Sequence, residues 1–183
     1  MKQKTENLLC SAFMELLRKF PFSKITIQRI AMQCGVNRQT FYYHFDNIYD
    51  LMVRAFEYEL INEGRIYDEL SWECTIKYFL CWLKENRVII KNILANVEAS
   101  YLKKAIYPII FRGIANRAFE KKSASTQEAR RRDFAAHFLT IGITQYVLEW
   151  AENDFREPIE EIVGELSWLV EKIYHDKGEM EKQ

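Results

Sequence analysis

Arg38, Gln39, Thr40, Tyr42, Tyr43 and His44 fall within seven consecutive positions, and no acidic residue interrupts them. These side chains suit one kind of chemistry. A guanidinium can donate two hydrogen bonds to a guanine edge, and a glutamine amide can pair in the same way with an adenine edge. Tyrosine hydroxyls, an imidazole and the amide groups that open a helix can bind phosphate oxygens. An ordinary solvated helix face is the plainer alternative, but two adjacent exposed tyrosines are a costly choice for a surface that meets only water. Lys24, Thr26, Gln28 and Asn37 lie just upstream and extend the candidate set.

Such residues work only when short elements hold them outward. Thr26 offers a hydroxyl cap for a helix running through Cys34, with Ile27, Ile30 and Ala31 on its inner face. Gly35 suits a left-handed turn after that helix, and Asn37 caps a second one over Arg38–Phe45. Two short helices joined through a glycine have helix-turn-helix spacing. Helices of this length are marginal alone, so they must pack on something larger. A first helix over residues 4–20 supplies the surface through Leu8, Leu9, Ala12, Phe13, Leu16, Leu17 and Phe20, before Pro21 ends it. Ile30, Ala31, Val36 and Phe41 are the expected inner contacts.

The segment from Thr26 to Phe45, with Ile30-Ala31, Gly35-Val36 and Thr40-Phe41-Tyr42-Tyr43-His44-Phe45 at its core, resembles the DNA-binding signature of TetR-family regulators. The motif resemblance covers about residues 4–60; the remainder agrees in helix number and order. Arg38 to Leu51 is also similar to a subgroup containing DhaS-like regulators of dihydroxyacetone kinase operons. The resemblance implies an all-α homodimer on double-stranded operator DNA, with one recognition helix per subunit and a dimer interface built from the last two long helices. It assigns Thr26, Tyr42 and His44 to phosphate contacts and Arg38, Gln39 and Thr40 to bases, with Tyr43 at a variable position usable for either. One position departs. Ile48 stands where the family usually has a lysine at the start of the fourth helix, so that contact is missing or passes to Lys24 or Arg54.

The rest of the chain bounds the picture. The 183 residues are 49% hydrophobic, which excludes a disordered chain, and 6 glycines with 3 prolines favour helices over strands. Lysine and arginine equal aspartate and glutamate at 26 each, but residues 1–50 carry seven basic and four acidic groups. The small positive excess therefore sits beside the helix-turn-helix, which is what a nucleic-acid contact needs. Cys10, Cys34, Cys74 and Cys81 form no CxxC pair and read as buried, reduced thiols of a cytoplasmic protein. No apolar run approaches the roughly 20 residues that span a bilayer. His44, His137 and His175 are scattered and no glycine-rich phosphate loop occurs, so no enzyme, metal or cofactor is expected.

About nine helices are expected, with a boundary near residue 46 between a DNA-binding domain, 1–46, and an effector-binding and dimerisation domain, 47–183. Helices are expected over about 48–67, 71–85, 87–96, 98–121, 126–153 and from Pro158 onward, with Pro108 kinking or splitting one of them. Ser125 and Glu128 have capping-box spacing, and the tail after His175 is polar. Core packing is the plainer role of the aromatics in this body. The resemblance implies a ligand cavity there, for which Trp72, Tyr78, Trp82, Tyr107, Phe111 and Phe138 are the candidates. The 126–153 helix is apolar on more than one face, which is consistent with a second surface besides the core. Phe134, Phe138, Ile141, Gly142, Val147, Ile162, Leu166 and Leu169 are the candidate dimer contacts, with burial inside one chain as the alternative. Arg130-Arg131-Arg132 reads as a solvated helix start. The expected regulator is a repressor controlled by a small-molecule effector; the alternative is a co-activator type whose C-terminal domain binds a protein co-regulator.

Overall fold

The apolar stripe near the N-terminus folds as α1 (Lys2–Lys19), burying Leu9, Phe13, Leu16 and Leu17, while Leu8 at its edge stays 47% exposed. After Pro21 the chain makes a 3₁₀ turn (Phe22–Lys24) that the sequence pattern does not announce. Then come α2 (Ile27–Gln33), α3 (Arg38–His44), α4 (Ile48–Asn62), α5 (Trp72–Glu85), α6 (Arg87–Leu94), α7 (Ala99–Phe119), α8 (Thr126–Glu152) and α9 (Ile159–His175). The computed structural model describes residues 2–62, 71–119 and 126–175, and among them there are nine α-helices and no strand, the expected all-α architecture. The expected helix end at Tyr67, the Ser125 cap and the tail beyond His175 lie outside the described residues.

The helices gather into two compact units, Met1–Arg65 with Glu85–Ile106, and Ile66–Lys84 with Tyr107–Gln183. In the first, α1 is the central element and packs against α2, α4 and α6, while α3 rests on α2. Gln33 donates to Glu15 at 2.8 Å, the Arg29 guanidinium lies 3.6 Å from the Phe20 ring centroid, and Arg18 pairs with Glu59 at 2.8 Å. In the second, Phe79, Leu80 and Trp82 of α5, Ile109, Ile110 and Ile114 of α7, Ile143 and Val147 of α8, and Ile162 and Val170 of α9 are buried.

Two expectations need correction. Pro108 does not split α7, which runs unbroken from Ala99 to Phe119. Proline removes one donor, the partner of the Lys104 carbonyl, and Lys104 is exposed, so water can replace the bond. Buried Ala105, Ile106, Ile109 and Ile110 hold the turns on either side. The cysteines are all free, but only Cys10 is buried; burial pushes its thiol up to about 12. Burial also raises the half-buried Cys34 thiol. Cys81 is half-buried and Cys74 is exposed, because both follow the outward face of α5 opposite Ile76, Phe79 and Leu83.

A tight corner joins α8 to α9. Asp154 and Phe155 both adopt left-handed backbone, at φ 65° and 56°. Phe155 is buried, with its ring edge-on to Trp150 at 4.8 Å, and its amide donates to the Trp150 carbonyl at 2.9 Å. Strain in the corner is thus offset by burying an aromatic ring. The Tyr146 hydroxyl donates to Glu157, which, with burial, pushes its pKa up to about 12.

Candidate nucleic-acid interface

Local backbone chemistry explains why α2 and α3 stop and start where they do. Thr26 is extended, and its hydroxyl oxygen accepts the Arg29 amide at 3.2 Å. At the other end of α2, the Val36 amide donates to the Ala31 carbonyl at 3.0 Å and the Gly35 amide to the Met32 carbonyl at 3.1 Å. That bond pair, with Gly35 at φ +65°, is the Schellman ending, and it turns the chain sharply into Asn37. Asn37 Oδ1 accepts the Thr40 amide at 2.8 Å and the Thr40 hydroxyl at 3.0 Å. Asn37→Ala is therefore expected to cost about 1 kcal/mol of stability. Urea unfolding should show the loss, Asn37→Asp should retain most of the stability, and an unmoved alanine midpoint would mean the cap is idle.

On the body of α3 and its neighbour, Ile30, Ala31 and Phe41 are buried as expected, and Val36 is half-buried in the turn. Arg38, Gln39, Tyr42 and Tyr43 are exposed, Tyr43 at 72%, and Thr40 is half-buried. Arg38 Nη2 donates to the Tyr42 hydroxyl at 3.0 Å, and the guanidinium sits 5.4 Å from the Tyr42 ring centroid. This pairing one turn apart orders both groups on the same outward strip. Lys2 Nζ lies 5.7 Å from the Tyr43 ring centroid. Neither α2 nor α3 contains an acidic residue. Lys24 and Gln28 are exposed, and Thr26 and Asn37 present their caps at the surface.

His44 is different. Its side chain is 4% exposed, with Nδ1 3.3 Å from Glu6 Oε1 of α1. It follows Phe41 by three positions and so shares the inner face; its geometry fits a strut between α3 and α1 rather than an outward group. Glu6 carries no signal in the sequence that would pair it with a residue 38 positions away.

At α4, Asn47 Oδ1 accepts the Tyr49 and Asp50 amides at 2.8 and 3.0 Å. The helix start is thus already capped and carries Asp50 in its first turn, where Ile48 brings no charge. Arg54 pairs with Glu57 at 3.1 Å, which leaves Lys24 the less encumbered of the two cations that could replace a lysine at Ile48.

Of the six candidate ligand-lining residues, Trp72 lines a cavity of about 10 Å³ within the second unit, together with Thr75, Ile76, Phe79, Ile110 and Ile143 among others, and the other five do not line that cavity. The Trp72 indole N–H is buried with no hydrogen-bond partner among the described residues. Trp82 is buried in the core, Tyr78 is 43% exposed and Phe138 is 65% exposed. Tyr107 and Phe111 stack with His137, and Tyr107 and His137 are hydrogen-bonded.

The dimer candidates divide. Phe134, Phe138 and Ile141 are 72%, 65% and 62% exposed, Gly142 is exposed, and Leu169 is 37% exposed. Val147, Ile162 and Leu166 are buried inside this chain, which already uses them. The structure adds Trp168, 59% exposed, and Ile173, 37% exposed, to the uncovered apolar surface. Among the described residues, no helix is long and apolar enough to cross a membrane, and no cluster of three His, Cys, Asp or Glu could hold a metal ion.

Residues 9–55 match the family model of the bacterial regulatory proteins of the tetR family, and residues 71–172 match that of a transcriptional regulator C-terminal region. Over 92 residues, 49% of the chain, the sequence is 29% identical to the HTH-type dhaKLM operon transcriptional activator DhaS of Lactococcus lactis subsp. lactis (strain IL1403). The match spans about half, 48%, of that relative's own length. A solved structure, the dihydroxyacetone kinase operon activator DhaS, covers 93% of this chain and 96% of its own at 20% identity, with a TM-score of 0.59. At that identity the likeness is one of fold.

Proposed function

The chain belongs to the tetR family of bacterial regulatory proteins, and on that footing we propose that it binds operator DNA as a homodimer, with residues 1–46 reading the duplex and residues 47–183 pairing the subunits and receiving the regulatory signal. The observation that carries the reading is the exposed strip Arg38, Gln39, Tyr42 and Tyr43 on a helix capped at both its own start and that of its neighbour. Arg38 and Gln39 face bases, and Tyr42, Tyr43, Lys24 and the Thr26 cap face the backbone. Two half-sites lie one helical turn, or a multiple of it, apart.

A duplex enriched from a randomised pool by the wild-type chain provides the test. Arg38→Ala should weaken its binding by about 10- to 100-fold, the value of one bidentate base contact, and should relax base preference at one position of each half-site. Fluorescence anisotropy at several salt concentrations would show it. Failure of the wild-type chain to bind any duplex selectively would sink the reading.

Repression by a regulator that a small effector releases is the first reading of the sign. A second, activation together with a protein co-regulator, has one observation in its favour: the DhaS proteins that the chain resembles are named as operon activators. A promoter fusion assayed with and without the chain distinguishes the signs.

A further inference from the structure

Asn92 on α6 reaches back some 70 residues and makes contacts that no residue motif announces. Its Oδ1 accepts the Phe22 amide at 2.8 Å, and its Nδ2 donates to the Phe20 carbonyl at 2.9 Å and the Leu17 carbonyl at 3.4 Å. One amide thus satisfies both the carbonyls left open at the end of α1 and the first amide of the 3₁₀ turn. The turn closes on itself through Lys24 to Pro21 and Ile25 to Phe22, both at 2.9 Å. Phe22 is buried, stacked on Tyr49 at 5.8 Å and edge-on to Phe13 at 6.3 Å. Tyr49 stacks in turn on Tyr101 at 3.9 Å. The product of this framework is a short, rigid pedestal that ends in an exposed lysine two residues before the Thr26 cap.

The Phe22–Tyr49 stack sets the pedestal beside the start of α4. Ile48 brings none, Asp50 makes the start of α4 unfavourable to an anion, and Arg54 is engaged by Glu57. We propose that Lys24 supplies the phosphate contact that Ile48 cannot, and that Asn92 is its positioning residue, acting through the 3₁₀ turn. The inference rests on the DNA-binding reading above. It makes α6 part of the apparatus that places the helix-turn-helix on the duplex backbone.

The test compares the wild-type chain, Lys24→Gln, Asn92→Ala and the double variant on the duplex enriched from a random pool, and reads the slope of log K against log salt. Lys24→Gln should flatten the slope by about one unit, the signature of one lost phosphate contact. Asn92→Ala should flatten it too, and should add little once Lys24 is gone, because the two act as one unit. A purely structural role would lower the unfolding midpoint and leave the slope alone. Additive effects in the double variant, or a wild-type slope in Asn92→Ala, would overturn the positioning role. Should Asn92→Ala fail to fold, Lys24→Gln still decides: the residue is exposed, and an unchanged slope overturns the proposal. A wild-type chain that binds no duplex with salt sensitivity overturns the DNA reading and this inference together, whereas wild-type binding with an unaltered Lys24→Gln slope overturns this inference and the Lys24 backbone contact and leaves the Arg38–Tyr43 reading standing.

Discussion

Phe41→Ala is expected to lower folding stability by about 3–5 kcal/mol, the usual cost of removing a buried aromatic ring. Phe41 has no exposed surface and is the one hydrophobic residue buried in the seven-residue α3. Its ring meets Phe45 at 5.7 Å, and Phe45, just past the end of the helix, is itself nearly buried. A helix so short cannot persist without its packing. Loss of the ring should therefore detach α3 from α2 and remove DNA binding along with stability. Chemical denaturation followed by circular dichroism measures the first effect, and anisotropy on the selected duplex the second. Tyr43→Ala, on the same helix but 72% exposed, serves as the contrast, with a change of about 0.5 kcal/mol or less. A Phe41→Ala loss below about 1 kcal/mol would mean that the site collapses around the gap and that α3 has another anchor.

The second large effect concerns association. Phe134, Phe138 and Ile141 repeat at intervals of four and three on α8, all more than 60% exposed, with the first two rings stacked at 6.1 Å. Aromatic side chains bury about 150–250 Å² each, so leaving this row in water is costly. At exposed Gly142 nothing lies within 4 Å of the place a Cβ would occupy, so its small size is not needed for packing within the chain and suits the approach of a partner helix. Phe138→Glu combined with Ile141→Glu should give a monomer by light scattering, with little loss of subunit stability because both positions face out of the single chain. Operator affinity should fall by about 10²–10⁴-fold, the gain otherwise obtained by linking two half-site contacts. A double variant that remains dimeric, or a wild-type chain that is monomeric at micromolar concentration, removes α8 from the interface.

The helix-turn-helix was readable in the sequence because its determinants are local. Thr26, Gly35 and Asn37 act on amides and carbonyls within a few residues, and the side-chain oxygens and the positive φ sit where those residue types want them. His44 shows the limit of reading by residue type. Its chemistry suggested an outward phosphate ligand, but its spacing after Phe41 turns it inward to Glu6. Asn92 was not legible at all. Its partners are backbone atoms some 70 positions away, and backbone atoms have no residue signature. The aromatic residues beyond α4 were equally silent about their surroundings. Trp82 and Tyr78 are both large aromatics one turn apart on nearly the same face of α5, yet one is fully buried and the other is 43% exposed, because the two straddle the edge of the surface that α5 turns to the core. The same limit applied to Val147, Ile162 and Leu166: a broad apolar surface on α8 and α9 cannot say which of its residues one chain consumes.

The reach of Asn92 to Phe22 also sets an order of events during synthesis. The α8–α9 corner draws on residues such as Trp150, Phe155 and Glu157 that are made almost together, so it can close as soon as it emerges. The N-terminal helices are made first, yet the 3₁₀ turn that follows α1 stays unfastened until α6 has been translated. A nascent chain carrying α1 to α4 alone has its helix-turn-helix but not the Asn92 clamp beneath it. Completion of the N-terminal end is thereby deferred until α6 has been made, and a truncated product lacking α6 would be an incomplete competitor for the DNA that the finished protein binds.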